Sequence, residues 1–390
     1  MSFPDPRQPI PAHPHRPRRR TGWAVLAALL VAAAAGAGGF LLGQYTAPHP
    51  PFDPLWLRAY LDRPLDTAPP GEGFWIAGYY VDYDSDSLES VRLNAHHLDQ
   101  VIVFGYGFDA EGNAVGKDQT LIRGVTSHQK RVLLFGNFSD AGFDPDLAHR
   151  ILTDPVVQGH GIDPVLGEAG RHGVSGIQID FENIPPEDRE AYTQFLRRLK
   201  ERLEPLGLTL SVAAAAKTSD TTSGWGGATD YAAIGQIVDH FYIMAYDQHW
   251  LGGEPGPVAS LDWTERVIRY AIGVMPSQKI LLGVPLYGYE WALEPELADT
   301  NAAYGPGRMQ RRAAQFGAEV VWDPVHAENR AVFLTDEGQR VAWFPDERSL
   351  EAKLRLAYQY NLKGIAVWRV GLEPDDWWHR MGEFRLNPEK

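Results

Sequence analysis

The side chains best equipped for chemistry lie in one short segment, Gly176-Ile177-Gln178-Ile179-Asp180-Phe181-Glu182. Its residues alternate, with Ile177, Ile179 and Phe181 on one face of an extended strand and Gln178, Asp180 and Glu182 on the other. An apolar face of this kind packs against helices, so the polar face turns into the sheet interior, where a carboxylate is costly unless it is partnered or used. Two neighbouring acids also resist double ionisation, which keeps a proton on one of them near neutral pH. The motif alone also fits a plainer role, in which Glu182 caps the next helix or solvates a loop.

A proton donor beside a second carboxylate is the equipment of glycoside hydrolysis, where an acid protonates the leaving oxygen and another group attacks from the opposite face of the sugar. Residues two apart on a strand have Cα atoms only ~6.6 Å apart and point the same way, so Asp180 and Glu182 cannot easily flank one bond. The nucleophile must then come from elsewhere. If the sugar carries a 2-acetamido group, its carbonyl oxygen can attack the anomeric carbon, with Glu182 as acid and then base and Asp180 stabilising the charged intermediate.

The elements that position this segment follow from the alternation of short β-branched or aromatic runs with helical patterns. Eight such runs are predicted, at 75–82, 100–106, 131–138, 176–181, 209–214, 241–246, 279–287 and 364–368. Helices are expected at 185–206, 262–274 and 349–360, the first carrying the apolar stripe Tyr192, Phe195, Leu196, Leu199 and Leu203. Eight strands over residues 74–384 fit a (β/α)8 TIM barrel with a small inserted subdomain at about 292–344, which puts Asp180 and Glu182 at the C-terminal strand end where active sites of this fold lie. A doubly wound open sheet is the alternative, but Gly78-Tyr79-Tyr80-Val81-Asp82 lacks the Gly-rich phosphate turn after the first strand.

With these elements in place, the segment resembles the strand-four motif Asp-Gly-x-Asp-x-Asp-x-Glu of the family 18 glycoside hydrolases, the chitinase superfamily. The resemblance implies that Glu182 is the general acid/base and Asp180 the acetamido-orienting acid, while Ser175 and Gln178 stand where the family has its first two aspartates. Met244-Ala245-Tyr246-Asp247 is similar to the family's Met-x-Tyr-Asp, implying that Tyr246 holds the acetamido group and Asp247 binds the reacting sugar beside Met244. Trp368 resembles the tryptophan beneath that sugar. Tyr79, Asn137 and Tyr287, with the inward Gln178, complete the expected substrate-binding set.

Phrases such as Asp180-Phe181-Glu182-Asn183, Pro185-Pro186-Glu187-Asp188-Arg189, His249-Trp250 and Pro285-Leu286-Tyr287-Gly288-Tyr289 are similar to bacterial peptidoglycan and spore-cortex N-acetylglucosaminidases. The expected partner is therefore a polysaccharide containing N-acetylglucosamine, peptidoglycan or a chitin-like chain. A chitinase, a glycan-releasing endoglycosidase and a non-catalytic sugar-binding barrel remain as rivals, the last disfavoured because Glu182 is retained.

Composition narrows the remaining classes. Of 390 residues none is cysteine, which excludes disulfides and a thiol nucleophile, and the formal net charge of −14 disfavours nucleic acid. His96, His97, His149, His160 and His172 lack ligand spacing, so neither a metal nor another cofactor is expected. Residues 1–20 are Pro-rich and carry Arg7, Arg16, Arg18, Arg19 and Arg20, and the uncharged run from Trp23 to Leu42 follows at once. This pattern is expected to give a cytoplasmic tail, a transmembrane signal anchor at 21–43 and a spacer at 44–73, with the barrel outside the cell membrane. Small residues from Ala32 to Ala37 also offer a cleavage site, which would release the domain, and a buried core helix is the other reading of the run.

Overall fold

In a computed structural model of the chain, residues 73–386 are described, apart from 110, 117–119, 127–129, 140, 141 and 375. Eight parallel strands form the frame: β1 (Trp75–Tyr80), β2 (Gln100–Phe108), β3 (Lys130–Gly136), β4 (Gly176–Asp180), β5 (Thr209–Ala215), β6 (His240–Met244), β7 (Ile280–Pro285) and β8 (Gly364–Trp368). Each pairs with its neighbour in chain order, and β1 pairs with both β8 and β2, so the sheet closes on itself as a (β/α)8 barrel. Closure brings backbones together at the seam. A Cβ added to Gly364 would lie 2.0 Å from the Trp75 carbonyl oxygen, so only glycine fits there.

The alternation of strand four is realised as the sequence implies. Phe181 faces outward, its ring 6.2 and 5.7 Å from Tyr192 and Phe195 on the helix Arg189–Leu203, whose stripe of Tyr192, Phe195, Leu196, Leu199 and Leu203 is buried. Each such side chain removed from water contributes about 1.5–3 kcal/mol, which fixes the strand's orientation and turns its polar face inward. The expected helix at 185–206 is divided, with 3₁₀ turns at Pro186–Asp188 and Glu204–Leu206; at the C-terminal end Pro205 lacks the N–H that continuous helix needs. β4 ends at Asp180, so Glu182 stands in the loop just beyond it rather than on the strand.

The inserted subdomain starts at Gly288, four residues before the expected boundary, because Tyr289 to Ala292 pair with Trp343 to Arg340 instead of forming a loop. Its antiparallel sheet has the order Ala302–Tyr304, Gly288–Ala292, Gly338–Phe344, Glu328–Thr335 and Val320–Asp323. The helix Pro306–Gln315 covers one face, packing Met309 and Ala313 on Ala331, Phe333, Ala342 and Phe344. The chain then returns to the barrel through Glu347–Gln359, started by a capping box of Asp346 and Ser349. The expected tail, anchor and spacer lie outside the described residues but for Gly73, and among the described residues no helix is long and apolar enough to cross a membrane.

Candidate active site

Glu182 is fixed from behind. Asn137, fully buried just past β3, accepts from the Glu182 N–H at 2.9 Å and donates to the Glu182 carbonyl at 2.9 Å, while the same amide nitrogen reaches the Asp144 carbonyl at 2.8 Å. Both backbone groups of the acid are therefore held by one side chain. Sequence reasoning places Asn137 on the pocket wall; in the structure its amide is occupied in positioning Glu182. The next residue, Asn183, turns the chain through a left-handed conformation at φ 55°, which sends it toward the helix without displacing the glutamate.

The carboxyl of Glu182 is pushed well above the usual carboxylate range, first by burial and then by the negative charges of Asp180 and Asp247; a hydrogen bond from the Trp225 indole opposes the rise. Asp180, itself buried, is raised by burial, and its Oδ1 has no hydrogen-bond partner among the described residues. None of the groups acting on Glu182 is cationic. A carboxyl whose proton affinity is raised in this way is suited to donate a proton.

Beneath the pair the barrel interior is polar but uncharged. Gln178 is fully buried, with its amide nitrogen 3.4 Å from Ser211 Oγ, and it also hydrogen-bonds the Tyr79 hydroxyl, whose proton is held tightly by burial and by Asp180. Tyr242 donates to Gln100 one layer away. Where the family motif has an acid, this chain has an amide that cannot take up a proton.

The far wall comes from β6, β7 and the start of the insertion. Asp247, just past β6 and in a left-handed conformation at φ 59°, accepts from the hydroxyls of Tyr287 and, at 2.8 Å, Tyr289. Burial raises its pKa and those two hydroxyls pull it back. Tyr246 is buried with its ring 6.2 Å from that of Tyr287, and its proton is held by burial and by the charges of Asp180, Asp247 and Glu182. Met244 packs in the same cluster. Trp368, partly exposed at the end of β8, meets Tyr79 edge-on at 5.3 Å and touches both aromatic clusters of the interior. The structure thus gathers Asp180, Glu182, Tyr246, Asp247, Tyr79, Gln178 and Tyr287 at the C-terminal end of the barrel, the end at which sites of this fold form.

Two participants are absent from the sequence expectation. Tyr289 shares Asp247 with Tyr287, and Trp225, 42% exposed, reaches Glu182 from the loop after β5. A signal for Trp225 is present in Ser223-Gly224-Trp225-Gly226-Gly227, since a large ring among glycines after a strand has little reason to be structural. Its loop is tied down by Arg189, which donates to the Gly227 carbonyl at 3.1 Å and pairs with Asp220 and Asp230, and by the buried Lys217, which donates to the Thr221 and Thr229 carbonyls. Among the described residues no group of three or more His, Asp or Glu side chains is arranged to hold a metal.

Comparison with known proteins agrees with this geometry. A model of the glycosyl hydrolases family 18 matches residues 160–373. The chain is 34% identical over 300 residues to a cortical fragment-lytic enzyme of Bacillus subtilis, covering 75% of this chain and 70% of that protein. Among solved structures it is similar to the Bacillus cereus spore cortex-lytic enzyme SleL, with TM-score 0.74, 30% identity, and coverage of 80% of this chain and 74% of the other. A chitinase from Chromobacterium violaceum superposes with TM-score 0.74 at 25% identity, over 80% of this chain and 98% of the other.

Proposed function

The chain belongs to the glycosyl hydrolases of family 18, and from that premise we propose that it cleaves β-1,4 N-acetylglucosaminide bonds of a cell-wall glycan, peptidoglycan, by a substrate-assisted retaining mechanism. The observation that carries the chemistry is the pair of neighbouring acids at the end of strand four, Glu182 with its proton affinity raised and the buried Asp180 with an oxygen that has no hydrogen-bond partner among the described residues. Glu182 protonates the leaving oxygen, the acetamido oxygen attacks the anomeric carbon, and Asp180 stabilises the positive charge that develops on the acetamido nitrogen. Tyr246 holds the acetamido oxygen, Trp368 lies under the ring and Asp247 takes a sugar hydroxyl. Water then enters with Glu182 as base, and the anomeric configuration is retained.

The choice of glycan is supported by similarity to spore cortex-lytic and cortical fragment-lytic enzymes. Chitin is the second reading, supported by superposition on nearly the whole of a chitinase chain. The Arg-flanked apolar run of residues 23–42 supports a single-pass anchor with the barrel outside the membrane, where a cell-wall polymer is reached. Purified peptidoglycan and chitin oligomers digested in parallel, with mass assignment of the new reducing ends, test the reading. N-acetylglucosamine at the new ends of peptidoglycan fragments is expected; rapid cleavage of chitin oligomers with intact peptidoglycan would replace it by the chitinase reading.

A further inference from the structure

The loop from Asp247 to Ser260 carries a site carboxylate at one end, and little inside the loop itself holds it. Its internal ties are local or sit at its two ends: the Gly253 N–H donates to the Trp250 carbonyl at 2.9 Å and His249 Nδ1 meets the Glu254 carbonyl at 3.0 Å within the tip, while the Gln248 N–H donates to the Val258 carbonyl at 3.0 Å and the Ser260 N–H to Gln248 Oε1 at 2.9 Å. The remaining anchors come from the inserted subdomain. Glu328, fully buried at the start of an insertion strand, accepts from the Val258 and Ala259 N–H groups at 2.9 and 2.8 Å. Asn301 donates to the Leu251 carbonyl at 3.0 Å, the Trp291 indole donates to the Trp250 carbonyl at 3.3 Å, and Tyr289, with Tyr287 just before the insertion, holds Asp247. The insertion therefore grips the loop at its start, its middle and its end.

We infer that the inserted subdomain is a clamp on the Asp247 loop, with Glu328 as its principal positioning residue and Asn301 as the second. The physical grounds are specific to Glu328. A carboxylate with no solvent access needs donors and a counter-charge; it finds the donors in two loop amides and the counter-charge in Lys353, also fully buried, 3.6 Å away on the returning helix. Lys353 has no hydrogen-bond partner of its own among the described residues, so its placement serves Glu328. Charge-assisted bonds to backbone N–H groups are about twice as strong as neutral ones, and two in register fix the loop's height over the barrel. His326, whose carbonyl accepts from Leu261 N–H at 3.0 Å, holds the next residue but one. Other charged groups near this latch are Asp323, paired with His326, and Asp346, paired with Arg348.

The consequence reaches Glu182, since Asp247 is one of the two charges that raise its proton affinity. The groups facing Glu182 are Asp180, Asp247, Tyr246, Tyr289 and Trp225, and of these Asp247 alone belongs to the end of the clamped loop that follows β6. A slack loop lets Asp247 withdraw, the pKa of Glu182 falls, and the alkaline limb of activity moves to lower pH.

The proposal rests on the assignment of Glu182 as acid, and the test separates the two. Wild-type activity and its loss in Glu182→Gln check that assignment first. Glu328→Gln, with Asn301→Ala as a variant outside the buried ion pair, is then compared with Phe333→Ala, which loosens the opposite face of the insertion. Hydrogen exchange of the Val258 and Ala259 amides is measured alongside the pH profile of kcat/KM. Glu328→Gln is expected to lower kcat/KM on the order of 10- to 100-fold, to move the alkaline limb down by about half a unit to one unit, and to speed exchange at both amides. Asn301→Ala should shift the limb the same way by less, and Phe333→Ala should lower Tm without moving it. Unchanged limbs and unchanged loop exchange in Glu328→Gln and Asn301→Ala would overturn the clamp, as would an equal limb shift in Phe333→Ala. If Glu328→Gln does not fold, Asn301→Ala decides alone by the same readouts.

Discussion

Carboxylates shielded from water are treated in opposite ways in two regions of this molecule. In the insertion and the helix that follows it, each is neutralised: Glu290 receives Arg312 through two bonds of 2.6 and 2.7 Å, Glu328 receives Lys353 and two amides, and Asp346 receives Arg348 and a capping box. At the barrel's C-terminal end, Asp180, Glu182 and Asp247 crowd together, and the groups that act on them are hydroxyls, an indole and one another. Burial that is compensated in the first region fixes structure. In the second it is uncompensated, which destabilises the ionised form and leaves a carboxyl ready to donate its proton. The difference marks the candidate site more sharply than burial alone, since Asp180 is no more buried than Asp346.

The comparison can be broken most directly at Glu182. Glu182→Gln should lower kcat on peptidoglycan fragments by roughly 10²- to 10⁴-fold while KM changes little, because shape survives and the transferable proton does not. Steady-state kinetics checks it. Next in size, Lys353→Met should destabilise the fold by about 3–5 kcal/mol, since it strands the Glu328 charge in the interior; urea unfolding measures it. The sign reverses in the site. The folded pKa of Glu182 lies above its unfolded value, so its contribution to stability is full below the unfolded pKa, about 4.3, and is lost as pH rises through the folded pKa. Glu182→Gln should therefore raise Tm relative to wild type at neutral pH and leave it unchanged near pH 4, as scanning calorimetry at the two pH values would show. The smallest effect belongs to the cap: Asp346→Ala should lower stability by about 1 kcal/mol beyond the loss of its Arg348 contact, and a double-mutant cycle with Arg348 separates the two.

The sequence makes one of these regions far more legible than the other. All eight barrel strands are found because each is a short run buried on both faces, and the chemistry of strand four follows from a period of two that a few residues suffice to display. Asp180, Glu182, Tyr246 and Trp368 are visible for the same reason, each sitting at or just beyond a strand end. Asn137 is visible as a residue but not as a role, since its two bonds to Glu182 span 45 positions. Trp225 and Glu328 are hidden for a related reason. Their partners lie in other loops, at 70 positions' separation for Glu328 and Val258, and no local pattern links them. Residues 288–291 fall between the expected seventh strand and the expected insertion, because the antiparallel pairing of Tyr289–Trp291 with Val341–Trp343 leaves no short-range signal.

In the proposed mechanism Glu182 supplies the proton, and the acetamido group of the substrate, rather than a water on the opposite face, makes the first attack on the anomeric carbon. Proton NMR of the hydrolysis as it starts, on a soluble glycan fragment, reads the anomer that forms first. The β-anomer is expected first, with the α-anomer appearing only later through mutarotation. An α-anomer formed first would mean direct attack by water from the opposite face, and the substrate-assisted reading of the Asp180–Glu182 pair would be wrong.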